Sequence, residues 1–325
     1  MSGGKARLKA GIRRAARLLP RKPRPAILMY HRVGSDRFDP WGLVVERDLF
    51  AAQVEWLARE RAVLPLTEFA RLHRERKLPR NAVSLTFDDG YASVLDAVPL
   101  LEQHRLHATV FLPAELIELG RDFWWDELAR MIIHWPADTL SLDGALLSVP
   151  PADGRDIRWP SDSPPRTPRQ KLYRSIWSRL HAMQPAALEA AMAQLRGQSS
   201  AIEPSRADRP LTPAQARSVS RFTIAFGSHG LTHPSLPTLS PGEQQREIGE
   251  SVARCEAVTG VSPETFAYPF GEFDPASMRL AREAGFACAC ATGNRFVGAR
   301  SDLFALHRFR VCNWEPRQLH DMLGG

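Results

Sequence analysis

Two adjacent carboxylates, Asp88 and Asp89, stand at the end of an apolar run and immediately before Gly90. The run is rich in β-branched and aromatic residues, which is typical of a buried strand. Because like charges repel at this distance, both carboxylates stay ionised only where a cation or a hydrogen-bond donor lies between them. A second apolar run, far along the chain, ends in His229 and His233. One Asp and two His form a metal-ligand set with room for water, and the spare Asp can then handle protons.

Both motifs also have an ordinary structural interpretation. An Asp-Asp-Gly sequence is usually a solvated turn, and two His residues four apart often lie on the surface of a helix. Here a predicted strand precedes each motif, and a third predicted strand leads into the Tyr-Pro-Phe-Gly turn at 268–271. The combination of three such motifs at strand ends favours one shared site over three unrelated features.

The order of these motifs resembles that of a known family, the NodB-homology polysaccharide deacetylases of carbohydrate esterase family four. The family signature is Thr-Phe-Asp-Asp-Gly, then His-(Ser/Thr)-x-x-His, then a Pro-aromatic-Gly turn. The resemblance extends from about residue 27 to residue 311. The matching segments are 28–33 (Leu-Met-Tyr-His-Arg-Val), 86–90, 108–112 (Ala-Thr-Val-Phe-Leu), 229–233 and 268–271.

The resemblance implies a hydrolase acting on carbon–nitrogen bonds, which removes N-acetyl groups from an N-acetylhexosamine-containing glycan or glycolipid precursor. In the family the first Asp is the general base and the second is a metal ligand. Asp88 is therefore expected to transfer protons, while Asp89, His229 and His233 hold a divalent metal, with Zn in first place and Co or Ni as alternatives. The implied reaction is attack of metal-bound water on the acetamide, with the backbone N–H of Phe270 as an oxyanion donor.

Two positions depart from the family pattern. The third motif commonly begins with an Arg that holds the catalytic Asp, but Ala267 stands there in this chain. The fifth motif, Leu-x-His, supplies a general acid, whereas here Leu306 is followed directly by His307. These departures motivate an alternative hypothesis, in which the site has lost catalysis.

Three further residues are candidates for the chemistry. In the family subgroup that begins with Tyr-His, an Arg lies near the late strand, so we expect Arg308 to restrain and orient Asp88; a surface ion pair is the alternative. His307 is the candidate general acid. His31, at the end of the first predicted strand, donates a proton, binds the sugar or caps the strand.

A pair of tryptophans, Trp124 and Trp125, follows the third predicted strand. Sugars stack on aromatic faces, so an exposed Trp at the mouth of the barrel suits a glycan. Since adjacent helical residues point in different directions, we expect one of the two to be buried and the other to line the cleft. Trp125 is our choice for the cleft.

Three functional hypotheses remain open at this stage. The first is the N-deacetylase described above. The second is an O-acetyl esterase or a deformylase on a lipid-linked sugar, because attack by metal-bound water does not require an amide. The third is a glycan-binding protein whose site has lost catalysis. A substrate panel separates the first two, and glycan binding without turnover identifies the third.

The charge of the chain is concentrated at its start. The net charge is +7, but residues 1–24 carry nine basic residues and no acidic one, so the remainder carries 34 bases against 36 acids. The chain beyond residue 24 is therefore nearly neutral, so its net charge does not indicate a nucleic-acid partner. The four cysteines lack the paired spacing of a structural zinc site and are expected to be reduced.

The basic segment 1–25 is predicted to be an amphipathic leader. Its apolar residues recur at helical spacing between basic ones, which favours an interfacial helix on an anionic membrane surface through residues 5–22. A short solvated helix or a disordered leader is the alternative. The segment lacks the apolar core of a secretory signal, and we expect a cytoplasmic protein, peripheral to the inner membrane face if the helix binds lipid.

Strand-like and helix-like segments alternate along residues 26–325, which predicts a parallel sheet with outer helices. They include predicted strands at 222–226 and 286–289 and predicted helices at 93–104 and 243–258. Seven such strands, together with the family resemblance, imply a distorted (β/α) barrel whose site lies at the carboxyl ends of the strands. The alternation of strands and helices is interrupted at about 135–220, where a hairpin around Asp143-Gly144, a Pro-rich loop and helical segments are predicted. We interpret this stretch as a helical insertion in a single deacetylase domain.

Overall fold

The structure is a computed structural model that describes residues 23–35, 39–157, 159, 164–200, 203–205, 208–219 and 221–324. The predicted amphipathic leader at 1–25 therefore lies outside the described residues, except for its last three positions. Among the helices that the structure describes, none combines the length and the apolar character that a membrane span requires.

The described strands are short and mostly parallel. They are β1 (Ala26–Tyr30), β2 (Arg32–Val33), β3 (Val44–Val45), β4 (Ala62–Val63), β5 (Ala82–Phe87), β6 (Ala108–Leu112), β7 (Thr139–Leu142), β8 (Ala145–Ser148), β9 (Ile224–Ser228), β10 (Thr265–Ala267), β11 (Cys288–Thr292) and β12 (Leu306–Arg310).

Helices separate most of these strands. The α-helices are α1 (Arg47–Glu60), α2 (Leu66–Arg74), α3 (Val98–Gln103), α4 (Ala114–Leu119), α5 (Trp124–Ile133), α6 (Pro168–His181), α7 (Pro185–Arg196), α8 (Pro213–Ser218), α9 (Pro241–Gln245), α10 (Ser251–Thr259), α11 (Pro275–Glu283) and α12 (Pro316–Met322). A π-helical turn, Arg246–Glu250, joins α9 to α10, and 3-10 turns span Ala92–Asp96, Leu236–Thr238 and Pro269–Gly271.

Seven parallel strands close into a barrel in the order β1, β12, β11, β10, β9, β6 and β5, and β5 pairs again with β1. The short strand β4 pairs with the start of β5, where Ala62 faces Ala82, while β6 pairs farther along, where Leu85 faces Ala108. This closed ring confirms the predicted (β/α) barrel of seven strands.

Apolar side chains make the barrel strands possible. Every residue of β1, β5 and β6 is buried, because helices cover the outside and other side chains fill the interior. Small and apolar residues occupy one interior cluster, including Phe111 and Leu306. The four cysteines are buried, and no disulfide joins any two of them.

Some predicted boundaries are wrong for local reasons. The helix expected at 93–104 is divided into a 3-10 turn and α3, because Pro99 has no N–H with which to continue one helix. Strand β9 begins at Ile224, and Phe222, which was assigned to it, is 89% exposed. Strand β11 begins two residues later than expected, at Cys288.

The predicted insertion has the expected secondary structure. Strands β7 and β8 form an antiparallel hairpin around Asp143 and Gly144, whose positive φ values suit a tight turn. Helix α6 begins with a capping box between Thr167 and Gln170. Its Tyr173 hydroxyl then donates to the Trp125 carbonyl at 3.2 Å, which attaches α6 to α5 beside the mouth of the barrel.

Candidate active site

The carboxyl ends of the barrel strands bring the three predicted metal ligands together. Asp89 follows β5, and His229 and His233 follow β9. The Asp89 carboxylate oxygen lies 3.3 Å from His233 Nε2 and 3.6 Å from His229 Nε2. One ligand atom from each residue lies within 4.8 Å of the other two, and all three residues are buried. The sequence prediction of this cluster is thus realised in the fold.

Two of these residues have an unusual backbone. Asp89 has φ 69° and His233 has φ 60°, in the left-handed region that residues other than Gly rarely adopt. Such strain persists only where the surroundings fix the conformation, and it is concentrated at functional sites. His229 and His233 lie in a loop, so the surface-helix interpretation of the pair is wrong.

The loop that carries His233 is held by Glu247, which sits in the π-helical turn. One Glu247 carboxylate oxygen accepts from the Leu231 and Thr232 backbone N–H groups at 2.8 and 3.0 Å, and the other accepts from the Thr232 hydroxyl at 2.7 Å. π-Helical turns occur often at functional sites. Glu247 has no distinguishing signal in the sequence, because its carboxylate is one of several in the helix predicted at 243–258.

The three residues fit a divalent metal. The Nδ1–H of His229 donates to the Ala267 carbonyl at 2.7 Å, and this leaves the Nε2 lone pair on the side of Asp89. Metal-binding His residues are held in this way in many proteins. Burial lowers the pKa of His229 to about 4, so the ring is neutral. Two imidazole nitrogens and one carboxylate oxygen are a donor set that suits Zn²⁺ and neighbouring first-row metals.

Asp88 is paired with Arg308. The Arg308 guanidinium donates one hydrogen bond to each carboxylate oxygen, both at 2.6 Å, and a third to the Thr86 hydroxyl at 3.1 Å. Burial is the largest single influence and would by itself raise the pKa of Asp88, but the charge and hydrogen bonds of Arg308, together with the nearby His229 and His31, outweigh burial and lower the pKa to about 2. Arg308 is fully buried, so the alternative of a surface ion pair does not describe it.

The two other candidate His residues lie on different sides. His31 lines a cleft of about 300 Å³ together with Asp88 and Asp89, and burial lowers its pKa. His307 precedes Arg308 on β12, and neighbouring residues of a strand point to opposite faces. Its Nδ1 lies 2.5 Å from the Thr292 carbonyl oxygen, and it is not among the residues that line this cleft.

Both predicted tryptophans are largely buried, so burial does not distinguish the two. Trp125 still lines the cleft: its ring centroid lies 4.6 Å from that of His233, and its Nε1 donates to the Tyr91 hydroxyl at 2.9 Å. Trp124 stacks on Trp177 with ring centroids 5.9 Å apart. The helical insertion buries both rings because α6 packs directly over α5.

The turn that contains Phe270 lies beside the metal ligands. Phe270 has φ 57°, and its ring centroid lies 4.5 Å from that of His233. At the next position, Gly271, φ is 73° and an added Cβ would lie 2.6 Å from the backbone nitrogen of Thr292. Only Gly fits there without displacement of the neighbouring strand. The turn is thus pressed closely against β11.

The insertion supplies part of the cleft wall, and this contribution was not predicted from the sequence. Trp177 and His181 stack on each other with ring centroids 4.7 Å apart, and both line the cleft, as does Trp41 from the loop after β2. The His181 ring also lies 4.5 Å from the Phe270 ring. The spacing of four residues on one predicted helix was the signal that could have linked Trp177 to His181.

A buried polar cluster lies behind Trp125. Arg32 donates to Asp39 at 2.9 Å and is also hydrogen-bonded to Asp208 of the insertion. The Tyr91 hydroxyl donates to Asp126 at 2.6 Å. Burial is the largest influence on Asp126 and raises its pKa to about 7, although the Arg32 charge opposes the rise.

Comparison with known proteins identifies the family of the chain. The model of the polysaccharide deacetylase family matches residues 75–133 and 180–289. YxkH of Bacillus subtilis (strain 168), which carries the same family name, is 20% identical over 288 residues, covering 88% of this chain and 70% of YxkH.

Solved structures show the same fold. The Streptococcus pyogenes deacetylase PplD in complex with acetate is similar with a TM-score of 0.61 and 19% identity, over 93% of this chain and all of PplD. IcaB from Ammonifex degensii is similar with a TM-score of 0.54 and 18% identity, over 94% of this chain and 99% of IcaB. The chain therefore belongs to the polysaccharide deacetylase family, hydrolases that act on carbon–nitrogen amide bonds.

Proposed function

We propose that this protein is a metal-dependent hydrolase that removes N-acetyl groups from an N-acetylhexosamine-containing glycan. One observation carries the proposal: Asp88, paired with Arg308, lies beside Asp89, His229 and His233 on the floor of one cleft. A proton acceptor beside a set of metal ligands is the arrangement that hydrolysis of an amide requires.

Asp89, His229 and His233 would hold the metal. A divalent ion bound there supplies Lewis acidity, which polarises an acyl oxygen and makes water more acidic. The neutral His229 ring, fixed by its hydrogen bond to Ala267, is ready to bind without first losing a proton.

Asp88 is the general base of this proposal. Hydrolysis adds water across the carbon–nitrogen bond, so acetate and a sugar amine are released. The Arg308 pair keeps Asp88 ionised and directs its carboxylate, so that it accepts a proton from the attacking water. The same proton is then available to the leaving nitrogen, which restores the carboxylate.

The backbone N–H of Phe270 is proposed to donate to the oxygen that becomes negative as water adds. Its left-handed conformation, fixed by the close approach of Gly271 to Thr292, holds the peptide groups of this turn in one orientation. A donor that is already oriented stabilises developing charge without the cost of reorganisation.

The cleft walls suit a sugar ring. Aromatic and polar side chains line the cleft together; the aromatic residues are Trp41, Trp125, Trp177 and Phe270. Apolar faces with a few polar groups are the usual lining of a carbohydrate or other small-molecule site. A de-N-acetylase from Aggregatibacter actinomycetemcomitans has a similar structure, with a TM-score of 0.54. This similarity supports amide cleavage over ester cleavage in the proposal.

The proposal is tested by acetate release from N-acetylglucosamine oligomers by the protein supplied with Zn²⁺, Co²⁺ or Ni²⁺. We expect release that a chelator abolishes. Asp88→Asn should keep the metal and lose turnover, whereas His229→Ala should lose the metal as well. Release that continues at full rate in excess chelator would contradict the proposal. Release from O-acetylated sugars but not from N-acetylated ones would show that the protein cleaves an ester bond and not the proposed amide bond.

A further inference from the structure

The two histidine ligands of the proposed metal site are held in different ways. His229 donates from Nδ1 to the Ala267 carbonyl at 2.7 Å. The Nδ1 of His233 is also buried, but no group of the described residues forms a hydrogen bond with it. A metal-binding His is usually fixed by such a bond on its second nitrogen, and loss of the bonded group costs about 10- to 100-fold in metal affinity. Some other contact must therefore fix the ring of His233.

Two aromatic rings pack against His233. The Trp125 ring centroid lies 4.6 Å from that of His233 and the Phe270 centroid lies 4.5 Å from it, with ring planes inclined at 47° and 73°. Trp125 and Phe270 also contact each other, with centroids 6.0 Å apart in a T-shaped arrangement. In a closely packed interior, rings in such contact restrict one another's rotation. The position of Trp125 consequently limits the orientations that the His233 ring can adopt.

Trp125 is in turn held by the hydroxyl of Tyr91. The Nε1–H of Trp125 donates to this oxygen at 2.9 Å, and the hydroxyl donates its own proton to the Asp126 carboxylate at 2.6 Å. All three side chains are buried. A hydroxyl has a single proton, so the Asp126 acceptor fixes its direction and leaves an oxygen lone pair for the indole. The hydrogen bonds thus run in one direction, from Trp125 through Tyr91 to Asp126.

The ring of Phe123 fixes the same pair by packing. It stacks on Trp125 with ring centroids 5.1 Å apart and planes inclined by only 3°, and it meets Tyr91 edge-on at 4.7 Å. Phe123 is fully buried, so this packing is shielded from solvent. Trp125 is therefore restrained both by a hydrogen bond and by a stacked ring on the side of Tyr91.

The short segment that carries Tyr91 also carries Asp89. On either side of Tyr91, one backbone group is hydrogen-bonded to the insertion, to Arg209 and to Leu211, each at 2.8 Å. The peptide around Tyr91 is thus fixed between the barrel and the insertion. This one segment supplies a metal ligand directly and, through the Tyr91 hydroxyl, supports the ring that packs on His233.

We propose that Tyr91 is a positioning residue for the metal site. Its hydroxyl holds Trp125 against His233, and this packing takes the place of the hydrogen bond that fixes the other histidine ligand. The inference rests on the proposed function, but it gives Tyr91 no contact with the metal, the substrate or the reacting atoms. Because Tyr91 acts through Trp125, loss of its hydroxyl should weaken metal binding even in the absence of substrate.

The test is zinc affinity without substrate, measured by competition with a chromophoric chelator. Tyr91→Phe removes the hydroxyl and keeps the ring, so the Kd for Zn²⁺ should rise about tenfold. The visible absorption of bound Co²⁺, which depends on the arrangement of its ligands, should change as well. Tyr30→Phe is the matched control, because it removes another buried hydroxyl, one that is bonded to Gln53. Its Kd should equal that of the wild type, and the Tm of each variant measures its loss of stability.

Three further variants decide the matter if Tyr91→Phe folds poorly. Trp125→Phe lacks the N–H that the Tyr91 hydroxyl accepts, and it should also raise the Kd for Zn²⁺. Asp126→Asn keeps an oxygen that accepts from Tyr91, so it should bind Zn²⁺ with the wild-type Kd. Asp126→Leu has a similar size but no acceptor, and its Kd should rise. Recovery by Asn but not by Leu is expected only if the direction of the hydroxyl matters.

The wild-type Kd and Co²⁺ spectrum in both Tyr91→Phe and Trp125→Phe would overturn the inference. An equal rise of Kd in Tyr30→Phe would overturn it too, because the effect would then follow from general loss of stability. Acetate release is followed separately. Wild-type protein that binds Zn²⁺ but releases no acetate contradicts the proposed function alone, whereas an unchanged Kd in Tyr91→Phe contradicts only the role of Tyr91.

Discussion

Arg308 reaches Asp88 from the last strand of the barrel and donates to both of its carboxylate oxygens at 2.6 Å. Ala267, where the family commonly has an Arg for this purpose, is buried on β10 and has no side chain that could do so. The interior of a closed barrel can be reached from any of its strands, so the same ion pair is available from a different position in the sequence.

Removal of Arg308 should impair both catalysis and stability. In Arg308→Gln the Asp88 carboxylate stays buried without its cation, which costs roughly 3–5 kcal/mol for a broken buried pair. We expect kcat/KM to fall about 100-fold, the order of a positioned acid–base group. Steady-state kinetics and urea unfolding measure the two effects. Arg279→Gln, which breaks an exposed pair with Glu283, is the control; wild-type turnover in Arg308→Gln would refute the role of the pair.

Metal binding should stabilise the fold through Asp89, His229 and His233. A ligand that binds only the folded state raises the melting temperature, by an amount that grows with its concentration over Kd. Zn²⁺ should therefore raise the Tm of the wild type and of Asp88→Asn, and should leave that of His229→Ala unchanged. Differential scanning fluorimetry with and without chelator measures this. A His229→Ala variant that still responds to Zn²⁺ would mean that the ion binds elsewhere.

Gly271 should not tolerate a side chain. An added Cβ would lie 2.6 Å from the Thr292 nitrogen, at a φ of 73° that Ala adopts only with strain. Gly271→Ala should therefore lower turnover at least tenfold, because the turn with the Phe270 N–H must shift. The control is Gly249→Ala, a helical position with open space around it. If the two variants have equal kcat, the turn that contains Phe270 plays no role in catalysis.

The two candidate His residues should behave differently. His31 faces the cleft, whereas His307 faces the Thr292 carbonyl on the opposite side of β12. We expect His31→Ala to reduce kcat/KM about tenfold or more, in line with loss of a group that contacts the substrate or its proton. His307→Ala should retain most of the activity. A large loss of kcat in His307→Ala, with its Tm unchanged, would restore the residue as general acid.

Asp126 should make the protein less stable as the pH rises. Its pKa is about 7 in the folded protein, against 3.8 for an ordinary Asp. Between these values the folded protein keeps a proton that the unfolded chain has released, so the free energy of unfolding decreases with pH. Asp126→Asn removes this dependence and should gain stability relative to wild type between pH 4.5 and pH 8. Urea unfolding at both pH values tests it, with the exposed Asp321→Asn as control.

The fold and the centre of the site could be predicted from the sequence because both are local patterns. Continuous apolar runs mark strands that are covered on both faces, and Asp89 and His229 follow two of them within two residues. Strand periodicity also carried information that our prediction did not use. His307 and Arg308 are neighbours on β12, so only one of them can face the interior, and Arg308 is that one.

The cleft wall could not be predicted in the same way. The path of the insertion over the barrel mouth depends on tertiary contacts, such as that of Tyr173 with Trp125, which leave no periodic pattern in the sequence. Trp177 and His181 can be assigned to the cleft only once the position of α6 over the barrel is known. Glu247 likewise becomes important only through the loop that it holds.

The separation of Asp88 and Arg308 by 220 residues also has a consequence for folding. Asp88 is synthesised directly after β5, the second of the seven ring strands in chain order, but its partner arrives with the last strand to be made. Until β12 inserts between β1 and β11, two adjacent carboxylates lack this counter-charge and stay in water. Contacts of such long range form slowly, so we expect closure of the ring and assembly of the catalytic pair to be one late, cooperative event.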